Sequence, residues 1–369
     1  MKLRHTGLVA SLLMALGANA LAVGNPLSVQ LLPLSDKATP SESVRWQITN
    51  QSSESVYVLR WETPLDGLSR SVFDVSFNGQ PVRYMDKVVH WGHPEAKDFV
   101  KIAPGQTLSA DVNLAASYEM VQGGNYTVSF EGQLSFMVAE DSVKGHVADL
   151  GAAQLDADPV AIYSVGRSPG YYSSLGAIKG PLSFTKAATY ASCSSSQQSS
   201  LASAHTQAKS YATNSLNYMN AGTQGARYTT WFGAYTSSRY STVRSHFSGI
   251  SNALNNLTVT YDCYCTPSAA SAFAYVYPTQ PYIVHLCNAF WSAPNAGTDS
   301  RGGTIVHEMS HFNVLGGTDD HAYGQAAASN RRAPIPSALS ITPTATNISP
   351  RTRRPRTERR RQEDSGGDE

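Results

Sequence analysis

From residue 25 to about residue 164, apolar and polar residues alternate in short runs separated by turn residues. Examples are Ser43-Val44-Arg45-Trp46-Gln47-Ile48, Ser55-Val56-Tyr57-Val58-Leu59 and Tyr126-Thr127-Val128-Ser129-Phe130. A period of two sends successive side chains to opposite faces of a strand, so this spacing predicts an all-β, sandwich-like domain over 23–165. Asn78-Gly79 and Pro104-Gly105 supply turns. The alternation then stops. Residues 166–185 are rich in Gly, Ser, Tyr and Pro without a period, and read as a linker open to proteolysis. Beyond the linker, helical spacing over 196–219 and 237–254 predicts two helices. Two strand-like runs, Ala272 to Tyr277 and Tyr282 to Cys287, flank Pro278-Thr279-Gln280-Pro281. A third helix is expected over 301–315, ended by Gly316-Gly317, since glycine reaches the left-handed cap conformation cheaply. The reading is an α+β chain, with a mixed domain at 186–330 behind an all-β one.

Composition supports two folded domains: 369 residues with 41% hydrophobic and 15% charged exclude a wholly disordered chain. Met1-Lys2-Leu3-Arg4, an apolar run from Leu8 to Leu16, and small residues near Ala20 and Ala22 predict a signal peptide at 1–22 and a secreted, extracellular protein. The apolar run is shorter than the roughly 20 residues a spanning helix needs, so no membrane partner is expected. All four cysteines, Cys193, Cys263, Cys265 and Cys287, lie in the second half, and an even number behind an export signal favours two disulfides. A Cys263–Cys265 bond would be strained, which leaves two connectivities. The formal charge of +1 conceals a basic end: residues 331–369 hold nine arginines against five acids. With no nucleic-acid fold beside it, that end reads as a solvated, disordered tail of aberrant composition, and no nucleic-acid partner is expected.

Thr304-Ile305-Val306-His307-Glu308-Met309-Ser310-His311-Phe312 carries the chemistry. On a helix, positions four apart share a face, so His307 and His311 can bind one metal ion. Imidazoles suit Zn²⁺, and a catalytic site needs three protein ligands and one open position for water. Glu308, beside the first histidine, is placed to take a proton from that water. Apolar flanks such as Ile305, Val306 and Phe312 argue for a buried active-site helix rather than a solvated one. The third ligand must come from Gly316-Gly317-Thr318-Asp319-Asp320-His321-Ala322-Tyr323-Gly324, where Asp319, Asp320 and His321 are all candidates by chemistry. His285 is expected to be a packed strand residue. His90-Trp91-Gly92-His93 is expected to be a surface loop, with contact to the metal cleft as the alternative.

The two motifs together, His307 to His311 and Gly317 to Gly324, resemble the deuterolysin or aspzincin metalloendopeptidases, including their peptidyl-lysine-specific members. The resemblance runs from about Tyr190 to Ala328. It implies a zincin-like catalytic domain, one catalytic Zn²⁺ on His307, His311 and Asp320, Glu308 as general base, and Tyr323 as a hydrogen-bond donor to the developing oxyanion. It also implies bonds Cys193–Cys263 and Cys265–Cys287, and protein or peptide substrates that add as a strand near Tyr275, Tyr277 and Tyr282; ordinary sheet packing is the other account of these tyrosines. The all-β domain is similar to the propeptide of bacterial members, an inhibitor or folding aid for its own enzyme. Lysine after the scissile bond is the implied preference, but the pocket segment that sets it in the family is missing from this sequence beyond Asn330. That departure motivates a competing expectation, a secreted but catalytically inactive protein that binds metal or substrate.

Overall fold

The computed structural model describes residues 25–34, 38–138, 150–173, 182–184 and 188–320. The predicted signal peptide, the tail over 331–369 and Tyr323 lie outside the described residues. The chain is mixed α and β, with β-sheets in the N-terminal part ahead of a helical part.

Among the described residues ten strands come first: β1 (Leu27–Pro33), β2 (Ser43–Asn50), β3 (Val56–Leu59), β4 (Asp74–Phe77), β5 (Gln80–Pro81), β6 (Val88–His90), β7 (Phe99–Ile102), β8 (Thr107–Asn113), β9 (Gly124–Val138) and β10 (Gly151–Ser164). A three-stranded sheet runs in the order β1-β2-β8, and a six-stranded sheet runs β5-β4-β9-β3-β7 with β10 beside β9. The alternation read in β2 is real: Val44, Trp46, Ile48 and Asn50 are buried, and the residues between them are not. Trp46 from one sheet meets Phe130 from the other at 6.0 Å between ring centroids, and both belong to one core that includes Val58, Phe73, Val128 and Leu155. The hairpin β4-β5 closes through Asn78 and Gly79, both at positive φ (52° and 76°), a conformation these two residue types tolerate.

The expected linker carries a short helix, α1 (Pro169–Ser173), and a strand, β11 (Leu182–Phe184), which pairs with β12 (Ala188–Ala191). Then follow α2 (Ser195–Asn220), α3 (Ala226–Phe232), α4 (Ser237–Asn256), β13 (Val259–Asp262), β14 (Ala274–Val276), β15 (Ile283–Leu286), α5 (Asn288–Ser292) and α6 (Arg301–His311). A capping box opens α2: Ser194 accepts from the Gln197 N–H, and the Gln197 side chain accepts from the Ser194 N–H. Leu201, Ala204, Ala208, Tyr211 and Ala212 form its buried stripe, in one core with Ile250, Leu254, Ile305, Val306 and Met309.

A third sheet has the order β11-β12-β13-β15-β14-β6. β12, β13 and β15 are parallel, and β14 runs antiparallel to β15. Its last strand, β6, comes from the N-terminal part and pairs antiparallel with β14.

Helix α6 stops at His311, short of the predicted 315. The backbone explains the difference. Phe312 is extended, and its carbonyl accepts from the N–H groups of Leu315, Gly316 and Gly317, so a turn replaces the last helical residues. The two glycines serve that turn rather than a helix cap. A Cβ at Gly316 would stand 2.6 Å from the Ser310 carbonyl oxygen, and Gly317 sits at φ +55°. Both disulfides are present, Cys193–Cys263 and Cys265–Cys287. Among the described residues no helix is long and apolar enough to cross a membrane.

Candidate metal centre

Every residue of α6 from Gly302 to His311 is buried, so the helix lies inside the domain and its polar side chains must find partners there. Ser300 caps its N-terminus by accepting from Gly303 N–H. At the other end the chain folds back over the last turn. Thr318 N–H donates to the Ser310 carbonyl at 3.2 Å, the Ser310 and Thr318 hydroxyls lie 2.8 Å apart, and Ser310 Oγ donates to the His307 carbonyl at 2.7 Å. This clip brings Asp320 to the face of the helix that carries both histidines.

The geometry is compact. His307 Nε2 lies 2.9 Å from His311 Nε2 and 3.2 Å from Asp320 Oδ2, and His311 Nε2 is 3.7 Å from Asp320 Oδ1. Ligands on a tetrahedral zinc with bonds of about 2.0–2.1 Å are separated by roughly 3.3 Å, the spacing these atoms show. His311 Nδ1 donates to the Thr318 carbonyl, which leaves Nε2 of a neutral ring with its lone pair facing His307 and Asp320. All three residues are fully buried.

The electrostatics fit a cation. Burial pushes the Asp320 carboxyl up, but His307 and His311 outweigh it and hold the group far below the usual carboxylate range. Burial lowers His311 to about 4, so the ring is neutral and a competent donor. Burial, and then the neighbouring Asp320 charge, push Glu308 well above its ordinary range. Neither carboxylate oxygen of Glu308, nor Asp320 Oδ1, has a hydrogen-bond partner among the described residues. Two buried carboxyl groups side by side are costly unless a positive charge compensates them, and a divalent ion between the rings does so.

Of the three candidates for the third ligand, Asp320 is the one that reaches the histidines; His321 lies outside the described residues. Asp319 is half-buried beside it, its carboxyl raised to about 6 by desolvation and by Asp320 against the opposing pull of Arg70. His285 is a packed strand residue as expected: Nδ1 lies 3.0 Å from Asp262 Oδ2 and the ring stacks on Tyr275 at 4.6 Å. Tyr275 is thus buried on the sheet face away from α6.

Two contacts come from the N-terminal part: the one at His90 is the alternative to a surface loop, and the one at Arg70 was not foreseen. His90 does not sit in a surface loop. It ends β6, is buried, and places Nδ1 3.2 Å from Glu308 Oε1. Its ring centroid is 4.0 Å from that of His307. Burial and then His307 lower its pKa far below the ordinary histidine value, so the ring is neutral. Arg70 Nη1 donates to the Asp320 carbonyl at 3.3 Å, bracing the turn that delivers the third ligand. A histidine between Val88-Val89 and Trp91 is the local hint of a buried strand end. Arg70 has no local signal.

Comparison with known proteins bears on this constellation. The aspzincin family model, described as lysine-specific metallo-endopeptidase, matches residues 217–340. The extracellular protease of Aeromonas hydrophila is 35% identical over 326 residues, covering 88% of this chain and 89% of that protein. The peptidyl-Lys metalloendopeptidase of Grifola frondosa is 40% identical over 256 residues, covering 69% of each chain. Among solved structures, a zinc peptidase from Grifola frondosa is 48% identical and covers 42% of this chain and 94% of its own, with a TM-score of 0.39.

Proposed function

The chain belongs to the aspzincin family of zinc metalloendopeptidases, and we propose that His307, His311 and Asp320 hold its Zn²⁺ while Glu308 activates the water that cleaves the peptide bond. The observation that carries the residue assignment is the convergence of three buried ligand atoms, all within 4.8 Å of one another. Zn²⁺ bound there supplies Lewis-acid polarisation of the scissile carbonyl and acidifies water. The protein does the rest. Glu308 takes the proton of the attacking water and passes it to the leaving amine. Thr318 fixes the orientation of His311, and Tyr323, beyond the described residues, is assigned to donate to the developing oxyanion.

The catalytic domain is read as zincin-like, and its substrate as an extended peptide lying antiparallel on β14. The β6 pairing supports this: Ala274 opposes His90, Tyr275 opposes Val89 and Val276 opposes Val88, so that edge accepts a strand through main-chain hydrogen bonds. Residues 23–165 are read as a β-sandwich propeptide that covers the cleft and assists folding, cut within 166–185 after export of the chain. Lysine after the scissile bond is the expected preference, following the family description and the name of the Grifola frondosa relative.

The test is a digest. The full chain, cut in the linker by an added protease that is then inhibited, is mixed with casein with and without a chelator, and the peptides are read by mass spectrometry. Chelator-sensitive cleavage before lysine is expected, and Glu308→Gln should keep its zinc yet lose turnover by about 10²–10⁴-fold or more, the range for a general base. Zinc-loaded protein without chelator-sensitive hydrolysis would instead support the inactive binding protein.

A further inference from the structure

The turn that carries the third ligand is held at two points, and they belong to different parts of the chain. Thr318 is clipped to α6 through the backbone and hydroxyl of Ser310. Asp319 and Asp320 lie beyond that clip. Among the described residues, the one hydrogen bond to the backbone of this pair comes from the N-terminal part, where Arg70 Nη1 donates to the Asp320 carbonyl at 3.3 Å. Arg70 also lines a cavity of about 190 Å³ together with Glu62, Asp74, Glu131 and Asp319, and is the one basic side chain among the described residues around it.

The backbone that presents Arg70 is fixed on both sides. The Ser69 carbonyl accepts from Val89 N–H at 2.9 Å, and the Ser69 hydroxyl donates to the Trp61 carbonyl at 2.8 Å. The Ser71 hydroxyl lies 3.1 Å from that of Tyr118, which donates to the Phe73 carbonyl at 2.8 Å. The turn it meets has no such support of its own. Gly316 and Gly317 leave the stretch before it with more conformational freedom than other residues would. Asp319 and Asp320 are consecutive carboxylates, and drawing both toward the interior costs Coulomb and desolvation energy. A fixed guanidinium offsets part of that cost, and its hydrogen bond removes freedom that metal binding would otherwise have to remove. Ligands held in place beforehand bind an ion more tightly than ligands that must be gathered.

We propose that Arg70 is a positioning residue for the metal site: from the N-terminal part it holds the Asp319-Asp320 turn in the shape that receives Zn²⁺, so the uncut chain binds zinc more tightly than the matured one. This rests on the metal assignment made above. It adds that the N-terminal part prepares the metal site as well as covering the cleft, and that it does so through one side chain.

The experiment measures zinc affinity of uncut chains by competition with a chromophoric chelator. Arg70→Met keeps the stem of the side chain and removes its charge and donors; Arg70→Lys keeps a charge and a donor. Arg83→Ala, which opens an exposed ion pair with Glu119, is the control for a general loss of stability. Arg70→Met is expected to bind zinc about tenfold more weakly than wild type, the scale of one charge-assisted hydrogen bond, with Arg70→Lys between them and Arg83→Ala unchanged. Cutting the linker and removing the N-terminal part yields the same catalytic polypeptide from every chain, and its affinity is expected to match that of uncut Arg70→Met. Wild-type affinity in folded Arg70→Met and Arg70→Lys chains, with folding checked by circular dichroism, would overturn the proposal. So would an equal loss in Arg83→Ala. His311→Ala separates the two ideas. Zinc binding lost in His311→Ala but untouched in Arg70→Met removes the role of Arg70 alone, whereas zinc binding that survives His311→Ala removes the metal assignment and this proposal with it.

Discussion

The two halves of the chain solve the problem of a core differently. The N-terminal half packs large side chains between two sheets, with Trp46, Phe73 and Phe130 at its centre, and holds no cysteine. The C-terminal half mixes large side chains such as Tyr261 and Phe290 with small ones, Ala204, Ala208 and Ala212 on α2 and Ala253 on α4, and adds two disulfides. The first core is drawn from residues 27–162 and the second from 188–312, so neither depends on the other for its centre. Among the described residues they meet at β6, at the patch around Val89, Trp91 and Tyr275, and where Arg70 donates to the Asp320 carbonyl. The difference teaches that the N-terminal half draws its core from its own residues and lends one strand, whereas the C-terminal half also buries polar and charged side chains. His307, Glu308, His311 and Asp320 sit where hydrophobic residues would otherwise be.

Trp46→Ala is the substitution that should break this comparison most sharply. Removing a fully buried indole from the first core is expected to cost about 3–5 kcal/mol. If the cores are separate, the loss appears in the unfolding of the N-terminal half, and zinc binding by the C-terminal half survives. Denaturant unfolding followed by tryptophan fluorescence, with zinc content measured in parallel, checks it; equal loss from both halves would merge the two cores into one. A somewhat smaller effect is expected from the disulfides. Cys193–Cys263 closes 70 residues and Cys265–Cys287 closes 22, and bonds over such loops contribute about 3–4 kcal/mol each on the chain-entropy account. Replacing the two cysteines of one bond, Cys193 and Cys263, by serine should lower the transition of the C-terminal half alone, as read by calorimetry, and an equal shift of the N-terminal transition would contradict the division.

Much of this was legible in local sequence because local physics decides it. The alternation in β2, the capping box of α2 and the four-residue spacing of His307 and His311 are all set by neighbours in the chain. The choice of Asp320 among three candidates needed the family resemblance, because ligand chemistry alone left it open. What sequence could not yield depends on distant partners. Three residues of β6 pair with a strand some 185 positions away, and no periodicity encodes that. His90 therefore read as loop, although its apolar neighbours belong to a buried strand. The end of α6 was misplaced for a related reason: Asn313 N–H donates to the Pro278 carbonyl, a long-range contact that draws the chain out of the helix before the glycines are reached.

The central claim is that one divalent ion sits between two imidazoles of α6 and a carboxylate of the turn that follows. Anomalous diffraction from crystals of the zinc-loaded chain, collected on both sides of the zinc absorption edge, tests it without any assay. A single strong peak is expected within bonding distance of His307 Nε2, His311 Nε2 and an Asp320 carboxylate oxygen. A peak elsewhere, or Asp320 turned away from the ion, would contradict the account.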